Sequence, residues 1–318
     1  MYCDVVSIGE PVIDFFPERE RDGVRFKPYP GGGAANVLAE VCAMGQSALL
    51  LGVVGADRFG DYLMEELKKA GISLQGMRRT SQKKTGIGFV ELAADGERNF
   101  LHYRDYHIKT SLWNECAKEA IEHCRIFHYT SVSLVDPIQR EESLRAAALA
   151  EQAGRLVSFD VNYRKDMWED KQLAKTLFED CIRQADIVKL SEEERAFLCE
   201  TSNNEKAAED LAGGREKVVL ISLGANGSFV WYPGGSGYCG TVKVKAKDTT
   251  GCGDAFMGAF LANVIPWIKK GRLGEIPLEE LKKIAMMANV AGAACATRYG
   301  SLSVMADRRE VMEMLEGR

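Results

Sequence analysis

Short runs of apolar residues alternate with amphipathic segments along most of the chain. The apolar runs predict buried strands at residues 5–8, 49–54, 126–129, 156–160, 187–190 and 218–222. The periodic segments predict helices that end near residues 44, 70, 152 and 181, one that begins after Ser191, and three more at 254–267, 278–295 and 307–316. This alternation predicts an α/β fold, with a mostly parallel sheet covered by helices on both faces.

A hairpin interrupts the alternation. Residues 85–92 and 99–103 are strand-like and flank a turn around residues 94–97. Together with a strand-like run at 24–30, which follows a charged turn at 19–23, the hairpin predicts a small sheet outside the main one, placed to act as a lid. Arg104 ends the hairpin, where it could contact a substrate or form an exposed ion pair. Residues 228–232 and 240–245 predict two further short antiparallel strands.

Composition and charge narrow the class of protein. The chain has 318 residues, enough for one large α/β domain, with 46% hydrophobic and 27% charged residues. A net charge of -5 without a Lys/Arg-rich tract argues against nucleic acid or an anionic membrane as the main partner. Nine scattered cysteines without a CxxC pair, and a strand-like start that leaves no room for a signal peptide, predict reduced thiols and a cytoplasmic protein.

The stretch from Asp248 to Phe256 carries the strongest chemical signal. Its glycines precede a predicted helix, so a ligand can approach the free N–H groups at the positive end of the helix dipole. Such donors stabilise a phosphoryl group in transfer, and Asp254 beside them could accept a proton from an attacking hydroxyl. The alternative is a glycine-rich helix cap in which Asp254 is an ordinary first-turn acid.

Other polar residues follow predicted strands or open predicted helices. The glycines at 31–33 precede a helix whose first turn contains Asn36, which can donate to and accept from a hydroxylated ligand. Asp14 is expected just past the first strand, where ligands gather in open α/β sheets, although a solvated loop acid is the alternative. On this interpretation, one rim of the sheet carries Asp254 together with Asp14, Asn36, Asn162, Arg164 and Ser222.

Several enzyme classes lack their motifs in this chain. There is no GxxxxGK[ST] loop, no GxGxxG after the first strand and no GxSxG elbow. A P-loop enzyme, a dinucleotide-dependent dehydrogenase and a serine hydrolase of the elbow type therefore have no support. An anion site with a nearby base, next to a Gly/Asn/Asp site suited to polyols, remains.

Two motifs resemble the signatures of the ribokinase-like (PfkB) carbohydrate kinases. They are Gly31-Gly-Gly-Ala-Ala-Asn36 with Gly45, and Asp248-Thr-Thr-Gly-Cys-Gly-Asp254-Ala-Phe256. The resemblance extends over essentially the whole chain, so it implies one kinase domain spanning residues 1–318. It also implies a Rossmann-like αβα sandwich with a small β-sheet lid, and the use of ATP and Mg²⁺.

The resemblance implies a role for each matching residue. Asp254 matches the catalytic base, and the anion hole matches Gly251, Cys252 and Gly253. The sugar and its phosphate would contact Asp14, Gly32, Gly33, Asn36, Arg104, Asn162 and Arg164. The nucleotide would contact Lys189, Ser222, Gly224, Gly227, Thr249 and Asn289. In many members the loop that contains Asp248 and Thr250 also holds a monovalent cation such as K⁺.

Two departures from the family pattern concern the phosphate site. The magnesium-linked Asn-x-x-Glu motif appears as Ser191-Glu-Glu-Glu194, so Glu194 keeps the acid that acts indirectly on the metal. Cys252 stands where Ala is commoner, and a small side chain is tolerated because the anion hole uses backbone N–H groups.

The resemblance favours fructokinase as the activity. The hairpin from Gly96 to Arg104 is similar to that of fructokinases and of 2-keto-3-deoxygluconate kinases, but Asp105-Tyr-His-Ile-Lys109 replaces a segment typical of fructokinases. The 2-keto-3-deoxygluconate kinases, other sugar or nucleoside kinases, and a non-catalytic sugar-binding regulator are the alternatives. Lid sheets with exposed edges often pair, so we expect a homodimer.

Overall fold

A nine-stranded sheet forms the centre of the computed structural model, which describes residues 3–20, 23–92, 98–103, 111–269, 272–273 and 276–317. The strands are β1 (Val5–Ile8), β2 (Val12–Glu20), β3 (Gly23–Gly31), β4 (Ala48–Gly55), β5 (Met77–Thr80), β6 (Ile87–Leu92), β7 (Arg98–Tyr103), β8 (Ile126–Thr130), β9 (Leu156–Asp160), β10 (Ile187–Ser191), β11 (Val218–Ser222), β12 (Ser228–Tyr232), β13 (Gly235–Cys239), β14 (Ile268–Lys269) and β15 (Arg272–Leu273). The helices are α1 (Gly33–Ala43), α2 (Arg58–Lys69), α3 (Ala117–His123), α4 (Pro137–Gln152), α5 (Lys171–Gln184), α6 (Glu192–Leu198), α7 (Asn204–Ala212), α8 (Cys252–Val264), α9 (Leu278–Ala296) and α10 (Arg308–Glu316).

The order of the strands confirms the predicted α/β fold. The sheet runs β13-β12-β11-β10-β9-β8-β1-β4-β5, and all pairs from β11 to β5 are parallel. Only β12 and β13 are antiparallel to their neighbours. Because the strands from β1 to β11 in this sheet share a direction, their carboxyl ends meet at one edge, where ligand sites of such sheets lie.

Both faces of the sheet are covered, as the continuous apolar runs predict. Val5 belongs to a core cluster with residues of α1, α2, α8 and α9, whereas its neighbour Val6 belongs to a second cluster with residues of α3, α4 and α5. Successive side chains of a strand point to opposite faces, so the two clusters lie on the two sides of the sheet. Among the described residues, no helix combines the length and apolar character that a membrane crossing needs.

The lid is a four-stranded sheet in the order β3-β2-β6-β7. β2 pairs with β3 antiparallel and with β6 parallel, and β6 pairs with β7 antiparallel. The lid strands predicted at 24–30 and within 85–104 are therefore present, as β3 and as β6 and β7. The sequence missed β2, which leaves the main sheet through Gly9–Pro11 directly after β1.

Three parts of the chain differ from the secondary structure that the sequence predicts. Asp14 lies inside β2 rather than in a loop, because residues 12–20 stay extended to pair with β3. Residues 19–20 and 23 of the predicted charged turn belong to β2 and β3, and residues 21–22 lie outside the described residues. The strand expected at 240–245 is instead β13 (Gly235–Cys239), which pairs with β12. Predictions from sequence also omitted β5, α3 and α7.

The close approach of α1 and α8 fixes the centre of the molecule. A methyl group added at Gly258 of α8 would lie 2.4 Å from the carbonyl oxygen of Val37 and 2.5 Å from Cβ of Glu40. Glycine at this position therefore lets the two helices touch along their backbones. One turn earlier on each helix, Asn36 of α1 and Asp254 of α8 come within hydrogen-bond distance.

Glu40 is buried in this contact. Its side chain is fully buried, and among the described residues neither carboxyl oxygen is in hydrogen-bond geometry with a partner. Burial raises the pKa of Glu40 well above its usual value, although the backbone of Ala306 opposes the shift. A carboxyl group whose pKa is raised by folding favours the folded state below the unfolded-state pKa, and this contribution is lost as pH rises toward the folded-state pKa.

We predict that Glu40→Met stabilises the protein above neutral pH by about 1–3 kcal/mol, because it removes a carboxyl group that folding takes out of water. The gain should shrink as pH falls below about 4, where the wild-type carboxyl is protonated in both states. Urea denaturation at several pH values measures it. The exposed Glu209→Met on α7 is the control, and an equal gain at every pH would contradict the prediction.

Candidate active site

The head of α8 is shaped by a glycine in the left-handed region. Gly251 has φ 78° and precedes the first helical residue, Cys252. A methyl group at Gly251 would lie 2.7 Å from Cβ of Ser301, so space and conformation both require glycine. The Cys252 N–H donates to the carbonyl of Thr249 over 3.3 Å. The N–H groups of the first helical turn have no acceptor within the helix, which makes its end a site for anions.

Two amide side chains hold the carboxylate of Asp254. Asn36 Nδ2 donates to Oδ2 over 2.8 Å, and Asn162 Nδ2 donates to Oδ1 over 3.1 Å. Asp254 is 5% exposed. Burial raises the pKa of Asp254 above its ordinary value, while the hydrogen bond from Asn36 and the charge of Arg164 oppose that shift. A carboxylate that is fixed in orientation and has a raised pKa is suited to accept a proton.

Asn162 adopts an unusual conformation to reach Asp254. Its φ is 37°, the only positive value outside glycine in the described residues. Its N–H donates to Oδ1 of Asp160 over 3.2 Å, and its carbonyl accepts from the Ser131 hydroxyl over 3.1 Å. Asparagine tolerates this region better than most residues, and these bonds hold the side chain against Asp254.

One side of Asp254 faces a cluster of small and polar residues from the start of α1. A methyl group at Gly33 would lie 3.3 Å from Nδ2 of Asn162 and 3.8 Å from Oδ1 of Asp254. Asn36 is 4% exposed, and its Oδ1 has no hydrogen-bond partner among the described residues. A methyl group at Gly31 would lie 3.1 Å from Oδ2 of Asp14, so the lid strand β2 contributes a carboxylate here.

A cavity of about 1080 Å³ opens on the other side of Asp254. It lies at the carboxyl ends of β9, β10 and β11, where the fold is expected to bind ligands. The predicted site residues that line it are Asn162, Arg164, Lys189, Glu194, Ser222, Gly224, Asp248, Thr249, Thr250, Gly251, Gly253 and Asp254. The structure therefore brings most of the predicted phosphate and nucleotide residues to one cavity.

The Glu194 carboxylate is anchored by backbone groups. Its Oε2 accepts from the N–H of Ser191 over 2.6 Å, and its Oε1 accepts from the N–H of Tyr163 over 2.6 Å. Ser191 in turn caps α6 by accepting from the N–H of Glu194 over 3.1 Å. The serine that departs from the family pattern is thus half of a capping box, which fixes the acid at the cavity wall.

Lys189 and Asp160 form a buried ion pair under the same wall. Nζ of Lys189 lies 2.9 Å from Oδ2 and 3.0 Å from Oδ1 of Asp160, and both residues are at least 95% buried. Although burial favours the neutral amine, Asp160 and Glu194 raise the pKa of Lys189. A methyl group at Gly253 would lie 3.2 Å from Nζ, so this positive charge sits beside the head of α8.

The loop before α8 is tied to the end of α9. Asp248, which is 1% exposed, accepts from the N–H of Thr250 over 2.8 Å and from the N–H of Gly300 over 3.2 Å. Within the described part of the chain, no group of three or more His, Cys, Asp or Glu residues is placed to hold a metal ion.

The remaining predicted residues have other surroundings. Asn289 is 7% exposed and donates to Ser228 and to the carbonyls of Cys239 and Gly240, so its amide joins α9 to the β12–β13 hairpin. Gly227 has φ 93°, and a methyl group there would lie 2.1 Å from the Cys239 carbonyl. Gly32, with φ 109°, precedes α1. Arg104 lies outside the described residues.

Sequence reasoning missed the role of Asp160. It was treated as the end of a strand, yet it carries the counter-charge of Lys189 and orients Asn162. A signal was present, because a lysine inside the apolar run 187–190 must find a buried acid if the strand is central.

Comparison with known proteins decides the family. The profile described as pfkB family carbohydrate kinase matches residues 3–308. The chain belongs to this family. Among curated proteins, a kinase of this family named fructokinase-1 from rice is 34% identical over 98% of this chain and 97% of its own length. Probable fructokinase-4 from Arabidopsis thaliana is 32% identical over 98% and 97%.

Solved structures agree with this family. The crystal structure of a fructokinase with bound ATP from Xylella fastidiosa superposes with a TM-score of 0.88 and 28% identity, covering 99% of this chain and 98% of that one. The ribokinase-like fold and the family that the sequence motifs indicate are thereby confirmed for this pfkB kinase.

We predict that Lys189→Met destabilises this pfkB kinase by about 3–5 kcal/mol near pH 8, because it leaves Asp160 buried without its partner. The loss should be smaller at acid pH, where a protonated Asp160 carries no charge. Adding Asp160→Asn should recover part of the loss, since the amide oxygen can still accept from the N–H of Asn162.

Urea denaturation of the single and double variants measures this coupling. Lys206→Met, which breaks the exposed pair with Asp210, is the control and should change the free energy of unfolding by less than about 0.5 kcal/mol. Equal effects of Lys189→Met and Lys206→Met would contradict the prediction.

Proposed function

We propose that this pfkB kinase is an ATP-dependent fructokinase that phosphorylates a primary hydroxyl of the sugar. One observation carries the proposal: the Asp254 carboxylate lies between small and polar residues at the start of α1 and a cavity of about 1080 Å³. The small and polar residues suit sugar hydroxyls, and the cavity suits a nucleotide. Relatives named fructokinase that are 32–34% identical over nearly the whole chain support fructose as the acceptor.

In the proposed reaction, Asp254 takes the proton of the sugar hydroxyl as the hydroxyl oxygen bonds to the γ-phosphorus of ATP. The bond from that phosphorus to the β,γ-bridging oxygen breaks, and ADP leaves with the bond's electron pair. The backbone N–H groups from Gly251 to Gly253 stabilise the negative charge on the migrating group. The two amides that fix Asp254 keep its lone pairs directed at the acceptor.

The cavity wall fits nucleotide phosphates and Mg²⁺. A magnesium ion usually takes one or two carboxylates together with substrate phosphates and water, and it would neutralise charge on the phosphates here. Glu194 presents an anchored carboxylate for the metal's water shell, and Lys189 and Arg164 add positive charge. The ATP in the related fructokinase structure supports ATP as the donor.

Other predicted contacts complete the proposal. Asp14, Gly32, Gly33 and Asn36 would bind sugar hydroxyls, and Arg104 would reach the sugar from the lid. Ser222, Gly224, Gly227, Thr249 and Asn289 would border the nucleotide, with Asn289 acting through the hairpin that it braces. The loop with Asp248 and Thr250 would hold a monovalent cation such as K⁺. Closure of the lid over the sugar would exclude water, which competes as an acceptor.

We predict that Asp254→Asn lowers kcat by about 10²–10⁴-fold while sugar binding persists, because the amide cannot accept the proton. A coupled assay of ADP release across fructose, 2-keto-3-deoxygluconate, ribose and adenosine measures both rate and substrate. Asp180→Asn, at an exposed position of α5, is the control. Near wild-type turnover of Asp254→Asn would refute the assignment of the base.

The same panel separates the alternative functions. If the enzyme prefers 2-keto-3-deoxygluconate or adenosine, the proposed phosphoryl transfer stands and only the identity of the acceptor changes. Tight sugar binding without ADP release from any acceptor would favour a non-catalytic regulator.

We further propose that the protein is a cytoplasmic homodimer that pairs through its lids. All nine cysteines are free thiols, which suits a reducing compartment. The outer face of the lid exposes Val24 (56%), Phe26 (46%), Leu101 (45%) and Tyr103 (62%). These side chains lie on one face by strand register and surround Phe89, so they form a continuous apolar surface. A second copy of the chain would cover it.

We predict that wild type is a dimer by light scattering and that Val24→Glu with Leu101→Glu gives a monomer, since paired lids would bury these charges. Leu173→Glu, on exposed α5, should remain a dimer. A monomeric wild type at micromolar concentration would contradict the proposal.

A further inference from the structure

Two cysteine thiols meet behind the proposed anion hole. Cys252 is the first residue of α8, and Cys295 lies near the end of α9. Sγ of Cys252 lies 3.8 Å from the carbonyl oxygen of Asp248, and Sγ of Cys295 lies 3.6 Å from that of Thr250, so both thiols pack on the same loop.

Backbone contacts hold the two helices close at this point. A methyl group at Gly292, one turn before Cys295 on α9, would lie 3.0 Å from the carbonyl oxygen of Cys252. A methyl group at Gly251 would lie 3.8 Å from Sγ of Cys295. The thiol of Cys295 therefore touches the backbone that leads into the anion hole.

The two thiols differ in their surroundings. Cys252 is half-buried at the head of α8, so its sulfur is partly open to solvent. Cys295 is buried, so an oxidant in solution reaches it less readily than Cys252. One accessible thiol beside one buried thiol is the arrangement of an attacking and a resolving cysteine.

We propose that Cys252 and Cys295 form a reversible disulfide that switches the enzyme off when a peroxide is present. The Cys252 thiolate attacks hydrogen peroxide, whose O–O bond breaks, and gives a sulfenic acid and, after protonation, water. The sulfur of Cys295 then attacks the sulfenic sulfur, the S–O bond breaks, and a second water leaves with the proton of Cys295. Two thiols are thus oxidised by two electrons, and one peroxide is reduced to two waters.

The expected effect on activity follows from geometry and rests on the proposed function. A disulfide brings two sulfurs to about 2 Å, which is much closer than the separation of two unbonded thiols in contact. Cys252 lies between Gly251 and Gly253, so this shift moves the N–H groups that hold the migrating phosphoryl group. A misplacement of about 1 Å in a catalytic site costs about 10²-fold in rate.

The test treats the full-length protein with hydrogen peroxide and then measures mass and activity. Trypsin releases peptides 248–269 and 284–298, each with a single cysteine, so a linked peptide identifies the disulfide unambiguously. We expect this linked peptide, a loss of activity of about 10²-fold, and recovery of both the free peptides and the activity with dithiothreitol. The absence of the linked peptide from fully oxidised wild type would overturn the proposal.

Two variants sharpen the result. Cys295→Ala should give no linked peptide, and dithiothreitol should not restore its activity, because an unresolved Cys252 oxidises further to sulfinic acid. Cys124→Ala is the matched control: Cys124 is also buried and bonded to a backbone carbonyl, and this variant should behave like wild type. A linked peptide without loss of activity would also overturn the switch. If Cys295→Ala does not fold, Cys295→Ser replaces it, and the linked peptide from wild type still tests for the disulfide. The peptide result does not depend on whether the protein is a fructokinase.

Discussion

The pair of hydrogen bonds that Asn36 and Asn162 donate to Asp254 is the interaction on which the rest of the site depends. It joins α1, the end of β9 and the head of α8, three elements far apart in the chain. The bonds direct a buried carboxylate toward one side, and they partly offset the rise in pKa that burial causes. Gly258 lets α1 and α8 approach closely, and this brings Asn36 within hydrogen-bond distance of Asp254.

Two buried charged groups near Asp254, Lys189 and Glu194, are each held by specific partners. Lys189 is paired with Asp160, and Glu194 is held by the N–H groups of Ser191 and Tyr163. These contacts keep a positive charge and an anchored carboxylate at the cavity wall before any ligand arrives. Such preorganisation is the main source of rate in phosphoryl transfer, because the protein itself does little covalent chemistry.

The fold and the head of α8 could be predicted from the sequence because they depend on local motifs. Features that depend on long-range pairing could not. The apolar runs correctly predicted the parallel strands of the main sheet except β5, and the glycines before Asp254 correctly predicted a helix N-terminus. Asp14 was misplaced because the residues of β2 are extended only through pairing with β3 and β6. β13 was missed because its glycines indicate a loop, although partners in β12 hold it extended. Lys189 inside an apolar run indicates that a buried acid is needed but not which one, and the proximity of Cys252 and Cys295 leaves no local pattern.

The most direct test of the central claim is the pH dependence of kcat/KM for wild type and for Asn36→Ala. Activity should fall at low pH as Asp254 becomes protonated, and the midpoint should lie above the ordinary range of an aspartate, because burial raises the pKa of Asp254. Since the amide of Asn36 lowers that pKa, its removal should move the midpoint to still higher pH. An acid limb that is the same in both proteins would contradict the claim that Asp254, held by Asn36, is the base.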